Sequence, residues 1–302
     1  MKLSDLKHVL VVGAGQMGRG IAQVCAQSGY LVTLSDADWA TATAGRDRII
    51  HQLDALVGKG RLTGAAAAET AQRLTASTVA DAAKSAQLVI EAVSEDLVVK
   101  RRLFETLDAT TPRDAILASN TSSISITELA GFTSRPDHVV GMHFMNPVPV
   151  MKLVEVVTGL RTSDATAALV TDLAGHLGKT VVRSQDRPGF IVNRILIPML
   201  NEACFALQDG VACIEDIDLA IQHGLNHPMG PLRLADLIGL DTVLAIALVL
   251  YRDFSDSKYR PAPVLRSLVA AGQLGHKSDC GFYVYNDGKV QGPNPAITRL
   301  RG

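Results

Sequence analysis

His143 and Asn146 stand three residues apart in Gly141-Met142-His143-Phe144-Met145-Asn146-Pro147-Val148-Pro149, at the end of an apolar run over 139–144 that reads as a buried strand. Ligands in open α/β sheets bind beyond the carboxyl ends of strands, so both residues stand where chemistry is done. Twelve residues after His143, Glu155 lies among apolar neighbours in Leu153-Val154-Glu155-Val156-Val157, where a carboxylate is costly to bury without a partner. His143 can be that partner. A carboxylate beside the ring stabilises the imidazolium formed when histidine takes the proton from an alcohol whose hydride leaves for a cofactor. Composition and spacing leave a second reading open, in which His143 is a structural histidine and Glu155 an exposed residue of an edge strand.

A cofactor site is signalled near the N-terminus. Gly13-Ala14-Gly15-Gln16-Met17-Gly18 is G-x-G-x-x-G, directly after the apolar run 9–12 and at the start of a helical pattern. The first glycine makes a tight turn and the second lets the backbone approach a pyrophosphate at the helix N-terminus. The third lets helix pack closely on strand. Gln16 and Met17 belong to the same turn. Asp36 follows the second strand, where a carboxylate accepts hydrogen bonds from the adenosine ribose hydroxyls. NAD is therefore favoured over NADP, whose 2′-phosphate would be repelled there; the nearest compensating cation in sequence, Arg46, lies ten residues on. Asp36 also suits a helix N-cap, and the two roles are compatible.

These residues need a sheet to hold them. β-branched runs at 9–12, 31–34, 74–78, 88–93, 115–119 and 139–144 alternate with helical patterns, which implies a parallel sheet with helices on both faces. Runs at 153–157 and 180–183 add two strands. Between the second and third strands, residues 37–73 read as a helical hairpin projecting from the sheet, broken at Gly58-Lys59-Gly60 and Gly64. After Pro188 the strand signals almost vanish, and helices are expected near 190–209, 214–223, 231–252 and 262–271. The polar stretch 183–189 marks the linker. The expected fold is α/β: a Rossmann-type doubly wound sheet with a helical insertion over 1–185, then an all-α C-terminal domain over 186–302.

The bulk properties narrow the function classes. The chain has 302 residues, 47% hydrophobic and 20% charged, with a formal net charge of -1. That charge makes nucleic acid an unlikely partner, so phosphorylated ligands must be held by local amides and a few placed cations. Cys25, Cys204, Cys213 and Cys280 are widely spaced, which signals neither zinc site nor disulfide framework and suits a reducing, cytoplasmic compartment. No metal site is expected. The N-terminus lacks the pattern of a signal peptide, and the apolar run 242–250 is too short to cross a bilayer, so it is expected to be a buried helix.

Several long segments, in order along the chain, resemble the signature segments of the 3-hydroxyacyl-CoA dehydrogenase family, and most closely its short bacterial 3-hydroxybutyryl-CoA dehydrogenases. They are Asn120-Thr121-Ser122-Ser123, the run from His143 to Glu155, Pro188-Gly189-Phe190-Ile191-Val192-Asn193-Arg194, Asn226-His227-Pro228-Met229-Gly230-Pro231-Leu232, Leu237-Ile238-Gly239-Leu240-Asp241 and Gly281-Phe282-Tyr283. The resemblance implies a Rossmann-type domain followed by a helical domain through which members usually dimerise, giving a homodimer. It implies hydride transfer between NAD(H) and C3 of a (3S)-3-hydroxyacyl-CoA, an acyl-CoA partner and no membrane.

Carried over residue by residue, His143 is the general base or acid and Glu155 holds and charges it. Ser122 and Asn193 hydrogen-bond the 3-oxygen or thioester carbonyl. Glu95 and Lys100 contact the cofactor's ribose and phosphate region, while Asn146 and Lys277 stand near the nicotinamide end. Lys59 and Arg61, in the helical hairpin, are suitable cations for the coenzyme A phosphates. Plainer readings exist beside these: Ser122 and Asn193 as capping groups, and Lys100, Lys277, Lys59 and Arg61 as solvated charges. One departure is notable. Many members have threonine and glycine where this chain has Ser278 and Asp279, and Asp279 could restrict the turn or set a negative charge beside Lys277. Competing functions are a dehydrogenase acting on a hydroxyacyl-carrier protein or a sugar acid, or a non-catalytic dinucleotide-binding protein. The motifs leave chain length and direction open: oxidation would serve fatty-acid breakdown, reduction butyrate or polyester synthesis.

Overall fold

The computed structural model describes residues 1–298, which cluster into two compact units divided between Phe190 and Ile191. The first unit runs, in order, β1 (His8–Val12), α1 (Gln16–Gln27), β2 (Leu31–Ser35), α2 (Trp39–Gly58), α3 (Gly64–Gln72), β3 (Leu74–Ala76), α4 (Val79–Ala82) and β4 (Leu88–Glu91). It continues through α5 (Leu97–Thr110), β5 (Ile116–Ser119), α6 (Ile126–Gly131), β6 (Val139–Phe144), β7 (Leu153–Thr158), α7 (Asp164–His176) and β8 (Thr180–Gln185). The strands form one sheet in the order β3-β2-β1-β4-β5-β6-β7-β8. Strand order reverses at β1, which has β2 on one side and β4 on the other; the crevice outside their carboxyl ends is where such sheets bind ligands.

The strands read as unbroken apolar runs because both faces of the sheet are covered. Val9, Val11, Leu88, Ile90, Ile116 and Ala118 pack in one core, and the alternate residues Leu10, Val12, Val89 and Leu117 in the other. This is the two-residue period of a strand, expressed twice. All neighbouring strands are parallel except β6 and β7. Only residues 145–152 join that pair, and a parallel crossover needs roughly a dozen residues or more, so the chain turns straight back. The turn sets His143 opposite Glu155 in the ladder.

The insertion forms the two helices α2 and α3, but its first half does not project. Ala42, Gly45, Ile49 and Leu53 are buried, and a Cβ on Gly45 would lie 2.7 Å from the Ala14 side chain, so α2 lies close against the glycine turn. Residues 186–190 cluster with the first unit although the expected boundary precedes them. Asp186 accepts hydrogen bonds from Ser125 Oγ and the Ile126 and Thr127 amides at the start of α6, and Phe190 is buried in the sheet's second core.

The second unit contains α8 (Val192–Gln208), α9 (Ile214–Gly224), α10 (Pro231–Ile238), α11 (Leu240–Phe254), α12 (Pro263–Ala270), β9 (Tyr283–Asn286), β10 (Lys289–Pro293) and α13 (Pro295–Thr298). The single helix expected over 231–252 is two helices bent by 98° at Gly239, whose φ of +100° lies outside the range of ordinary helical residues. The apolar run 242–250 is buried on one face only: Val243, Ala247 and Leu250 are covered, while Leu248 is exposed. Among the described residues, no single helix is long and apolar enough to cross a membrane. The helical domain also carries a β9–β10 hairpin outside the sequence reading. Its turn is Asp287-Gly288, both with positive φ, the two-residue turn that matches strand twist.

Candidate active site

At the crevice the glycine turn is held by close approach. Gly13 has φ +108°, and a Cβ there would stand 2.4 Å from the Ala92 carbonyl oxygen; one on Gly18 would stand 1.7 Å from that of Gly13. Gly15 differs, because a Cβ there would meet nothing within 4 Å. It is the N-cap of α1 and offers no side chain to the first-turn amides, which leaves them for an anion. Asp36 is fixed at the end of β2, where Oδ2 accepts from the Ala14 amide at 2.5 Å and Oδ1 from the Ala37 amide at 2.7 Å. Arg46 does not face it as a counter-ion but pairs with Asp47 at 2.7 Å. Open backbone, uncapped helix and a carboxylate at the second strand suit a pyrophosphate and a ribose with free hydroxyls. Gln16 Nε2 donates to Asn146 Oδ1 at 3.0 Å, joining the glycine turn to the loop after β6, while Met17 packs partly buried against the core.

His143 and Glu155 meet directly. The His143 Nδ1 to Glu155 Oε2 distance is 2.7 Å, the carboxylate is fully buried and the ring is 7% exposed. With Nδ1 bound to the carboxylate, the proton exchanged with a ligand belongs to Nε2. The Phe190 ring stands edge-on to the imidazole at 5.7 Å between centroids, fixing it from a third direction. Asn120 Oδ1 accepts from the Phe144 amide at 2.9 Å and so ties the end of β5 to the end of β6.

After β4, Glu95 gathers the loop that follows β5 onto one oxygen. Oε1 accepts from Thr121 Oγ1 at 2.6 Å, the Ser122 and Ser123 amides at 2.9 and 3.0 Å, Ser123 Oγ at 2.9 Å and Ser122 Oγ at 3.2 Å. Burial pushes the Glu95 carboxyl up, but Lys100 and the bonds from Thr121, Ser123 and the Ser122 amide outweigh it and hold the group below its ordinary value. Lys100 is 1% exposed, enclosed at 2.5 Å from Glu91 Oε1 and 3.3 Å from Glu95 Oε2. Glu91, at the end of β4, is buried and was not among the residues picked from sequence. A lone glutamate closing an apolar run carries no signal that distinguishes it from a helix-start residue.

Lys59 is the C-cap of α2, and Lys59 and Arg61 are both exposed. In the second unit Asn193 is buried in the first turn of α8. Lys277 is paired with Asp241, at 2.6 Å to Oδ2, and that carboxyl is held down against its burial chiefly by the bond from Lys277. Asp279 has φ +54°, a left-handed conformation that suits glycine. Its backbone, not its carboxylate, is engaged: its carbonyl accepts from the Tyr285 amide at 2.9 Å.

The family model for the NAD-binding domain of 3-hydroxyacyl-CoA dehydrogenase matches residues 8–187, and that for the C-terminal domain matches residues 189–285. A probable 3-hydroxybutyryl-CoA dehydrogenase of Bacillus subtilis is 50% identical over 94% of this chain and 99% of its own length. The 3-hydroxybutyryl-CoA dehydrogenase of Bradyrhizobium diazoefficiens is 48% identical over 97% and 99%. The crystal structure of (S)-3-hydroxybutyryl-CoA dehydrogenase from Ralstonia eutropha superposes with a TM-score of 0.90 at 49% identity, covering 93% of this chain and all of that one. With both domains matched and relatives alike along nearly their whole length, this chain belongs to the 3-hydroxyacyl-CoA dehydrogenase family.

Proposed function

We propose that the protein interconverts (3S)-3-hydroxybutyryl-CoA and acetoacetyl-CoA by exchanging hydride with NAD(H). The observation that carries this reading is the His143–Glu155 pair, in ladder register and 2.7 Å apart, at the carboxyl end of β6. The cofactor's nicotinamide, when bound, takes up or gives the hydride at C3. His143 Nε2 takes the hydroxyl proton in oxidation and returns one to the oxygen in reduction, and buried Glu155 stabilises the imidazolium in between. Ser122 and Asn193 hydrogen-bond the substrate's 3-oxygen or thioester carbonyl. Gly13, Gly15, Gly18, Gln16, Met17 and Asp36 hold the pyrophosphate and adenosine ribose, Glu95 the cofactor's ribose and phosphate region, and Asn146 and Lys277 the nicotinamide end. Lys100 takes a role through Glu95, because its own ammonium is enclosed. Exposed Lys59 and Arg61 receive coenzyme A phosphates.

The protein is a cytoplasmic homodimer in this reading, supported by four free cysteines and by exposed apolar side chains of the second unit such as Ile195, Val211 and Leu225. The test is steady-state reduction of acetoacetyl-CoA with NADH and, separately, NADPH. NADH is expected to be preferred, and His143→Ala to lower kcat by about 10² to 10⁴-fold while NADH still binds. A wild type that binds NADH without turning over acetoacetyl-CoA would sink the proposal.

A further inference from the structure

A buried ion pair between Glu91 and Lys100 stands behind the Ser122 loop, and the reaction as derived gives its carboxylate no part. Glu91 is fully buried, and each of its oxygens is claimed: Oε1 by the Val93 amide at 2.7 Å and Lys100 Nζ at 2.5 Å, Oε2 by Ser119 Oγ at 2.6 Å. Lys100 Nζ then reaches Glu95 Oε2 at 3.3 Å, and the other oxygen of Glu95 holds Ser122 and its neighbours. The four residues form a chain from the end of β4 to the candidate substrate-binding hydroxyl.

We propose that Glu91 is a positioning residue that sets the orientation of Ser122 through Lys100 and Glu95; this rests on the substrate contact proposed for Ser122. The physical argument concerns how one ammonium is shared between two carboxylates. Lys100 cannot reach water, so its charge must be met by Glu91 and Glu95. Glu91 stands closer and takes most of that demand, which leaves Glu95 free to face the loop. Five donors compete for Glu95 Oε1, more than its lone pairs serve well, and the Ser122 hydroxyl makes the longest of those bonds, at 3.2 Å. Ser122 is thereby held in place by its amide while its hydroxyl stays free to turn to a substrate oxygen. Without the Glu91 charge, the buried ammonium draws Glu95 toward itself and off the loop, and the Ser122 amide that anchors the residue is released. Ser119 and the Val93 amide serve the same end by locking the Glu91 rotamer.

A double-mutant cycle tests this, because a merely structural residue and one acting through Ser122 give different arithmetic. Acetoacetyl-CoA reduction by NADH is measured for wild type, Glu91→Gln, Ser122→Ala and the double variant, with thermal melting of each. Glu91→Gln is expected to lower kcat by roughly tenfold to a hundredfold, the size of effect a small misplacement of a reacting group produces. Added to Ser122→Ala, it is expected to cost no more than about twofold further. Losses that multiply in the double variant overturn the proposal, as does a Glu91→Gln enzyme with wild-type kcat. Should Glu91→Gln fail to fold, Glu91→Asp, which keeps the charge but withdraws it from Lys100 Nζ by one methylene, enters the same cycle with the same two outcomes. Absence of wild-type turnover strikes the proposed function instead, so the two failures are told apart.

Discussion

Each unit buries carboxylates, and the two units compensate them by different means. In the first, Glu155 meets the imidazole of His143 and Glu91 meets the ammonium of Lys100. In the second, Asp218 and Asp236 meet only neutral donors in the bonds that hold them. Asp218 accepts from the Leu232 and Arg233 amides at the start of α10 and from Tyr283 Oη, and Asp236 from the Phe282 and Tyr283 amides and Tyr285 Oη. A carboxylate facing an imidazole or an ammonium forms a pair in which charge can be redistributed when a proton moves. One facing amides and phenols is a brace: it fixes α10 and the chain around Phe282 without a charged partner. The chemistry we propose draws on the first kind, at His143 and Glu155.

The sharpest way to break that contrast is to remove the charge of Glu155 and keep its shape. Glu155→Gln can still accept the His143 Nδ1 proton through its amide oxygen, so the ring stays oriented while the imidazolium loses its counter-charge. A fall in kcat of about a hundredfold or more is expected, with NADH affinity retained, read from steady-state kinetics and NADH titration. If kcat stays within a few-fold of wild type, Glu155 serves orientation alone and the two kinds of carboxylate are not functionally distinct.

The braces show themselves in stability and its pH dependence. Burial, only partly offset by the bonds from Tyr283, Phe282 and Tyr285, pushes the Asp236 carboxyl from 3.8 up to about 6. A raised acid keeps its proton in the folded state where the unfolded chain has lost it. This group's contribution is thus fully present below pH 3.8 and is lost as pH rises through about 6. The loss is about 3 kcal/mol. Glu95, Asp108 and Asp241 are held below their ordinary values and act in the opposite sense, so the measurement must be a difference. Urea unfolding of wild type and Asp236→Asn from pH 4 to pH 7 is expected to show the wild type's advantage shrinking by up to that amount. An advantage constant with pH would mean that the three donors keep Asp236 ionised throughout.

How much of this can be read from sequence follows from the range over which each feature is determined. The strands were legible because each is apolar on both faces, a property written in the strand itself. The glycine turn and Asp36 were legible because their spacing is local. The reversal of β7 lay in a loop length rather than a motif, and the break at Gly239 was hidden by the apolar period running through Leu237-Ile238-Gly239-Leu240. The hairpin carried its signal in Asp287-Gly288. Glu91, Asp218 and Asp236 carried none, since their side-chain partners stand 9 to 65 residues away and a lone carboxylate in a helix or strand looks the same whether solvated or enclosed. Lys100 read as a contact residue because the one-dimensional pattern cannot show that two glutamates enclose it.

The smallest expected effect concerns Asp279, which stands two residues after Lys277. Its φ of +54° is a strained conformation for a residue with a Cβ, although aspartate tolerates it better than most. The carboxylate does not take up Lys277, which is held by Asp241, and Gly275 before it sits against the Asp236 backbone, where a Cβ would lie 2.3 Å from a carbonyl oxygen. The turn is thus shaped by Gly275 and by the Asp236 brace, and Asp279 fits into it at a cost. Asp279→Gly should relieve the strain and raise stability by about 1 kcal/mol, less the entropy that glycine adds to the unfolded chain, leaving a rise in Tm of a few degrees at most. Because Asp241 already holds Lys277, KM for NADH should not change. A stable variant with a shifted KM would show instead that the Asp279 charge acts on Lys277 through space, which would add an unpaired carboxylate to the second unit's braces and blur the distinction between the two regions.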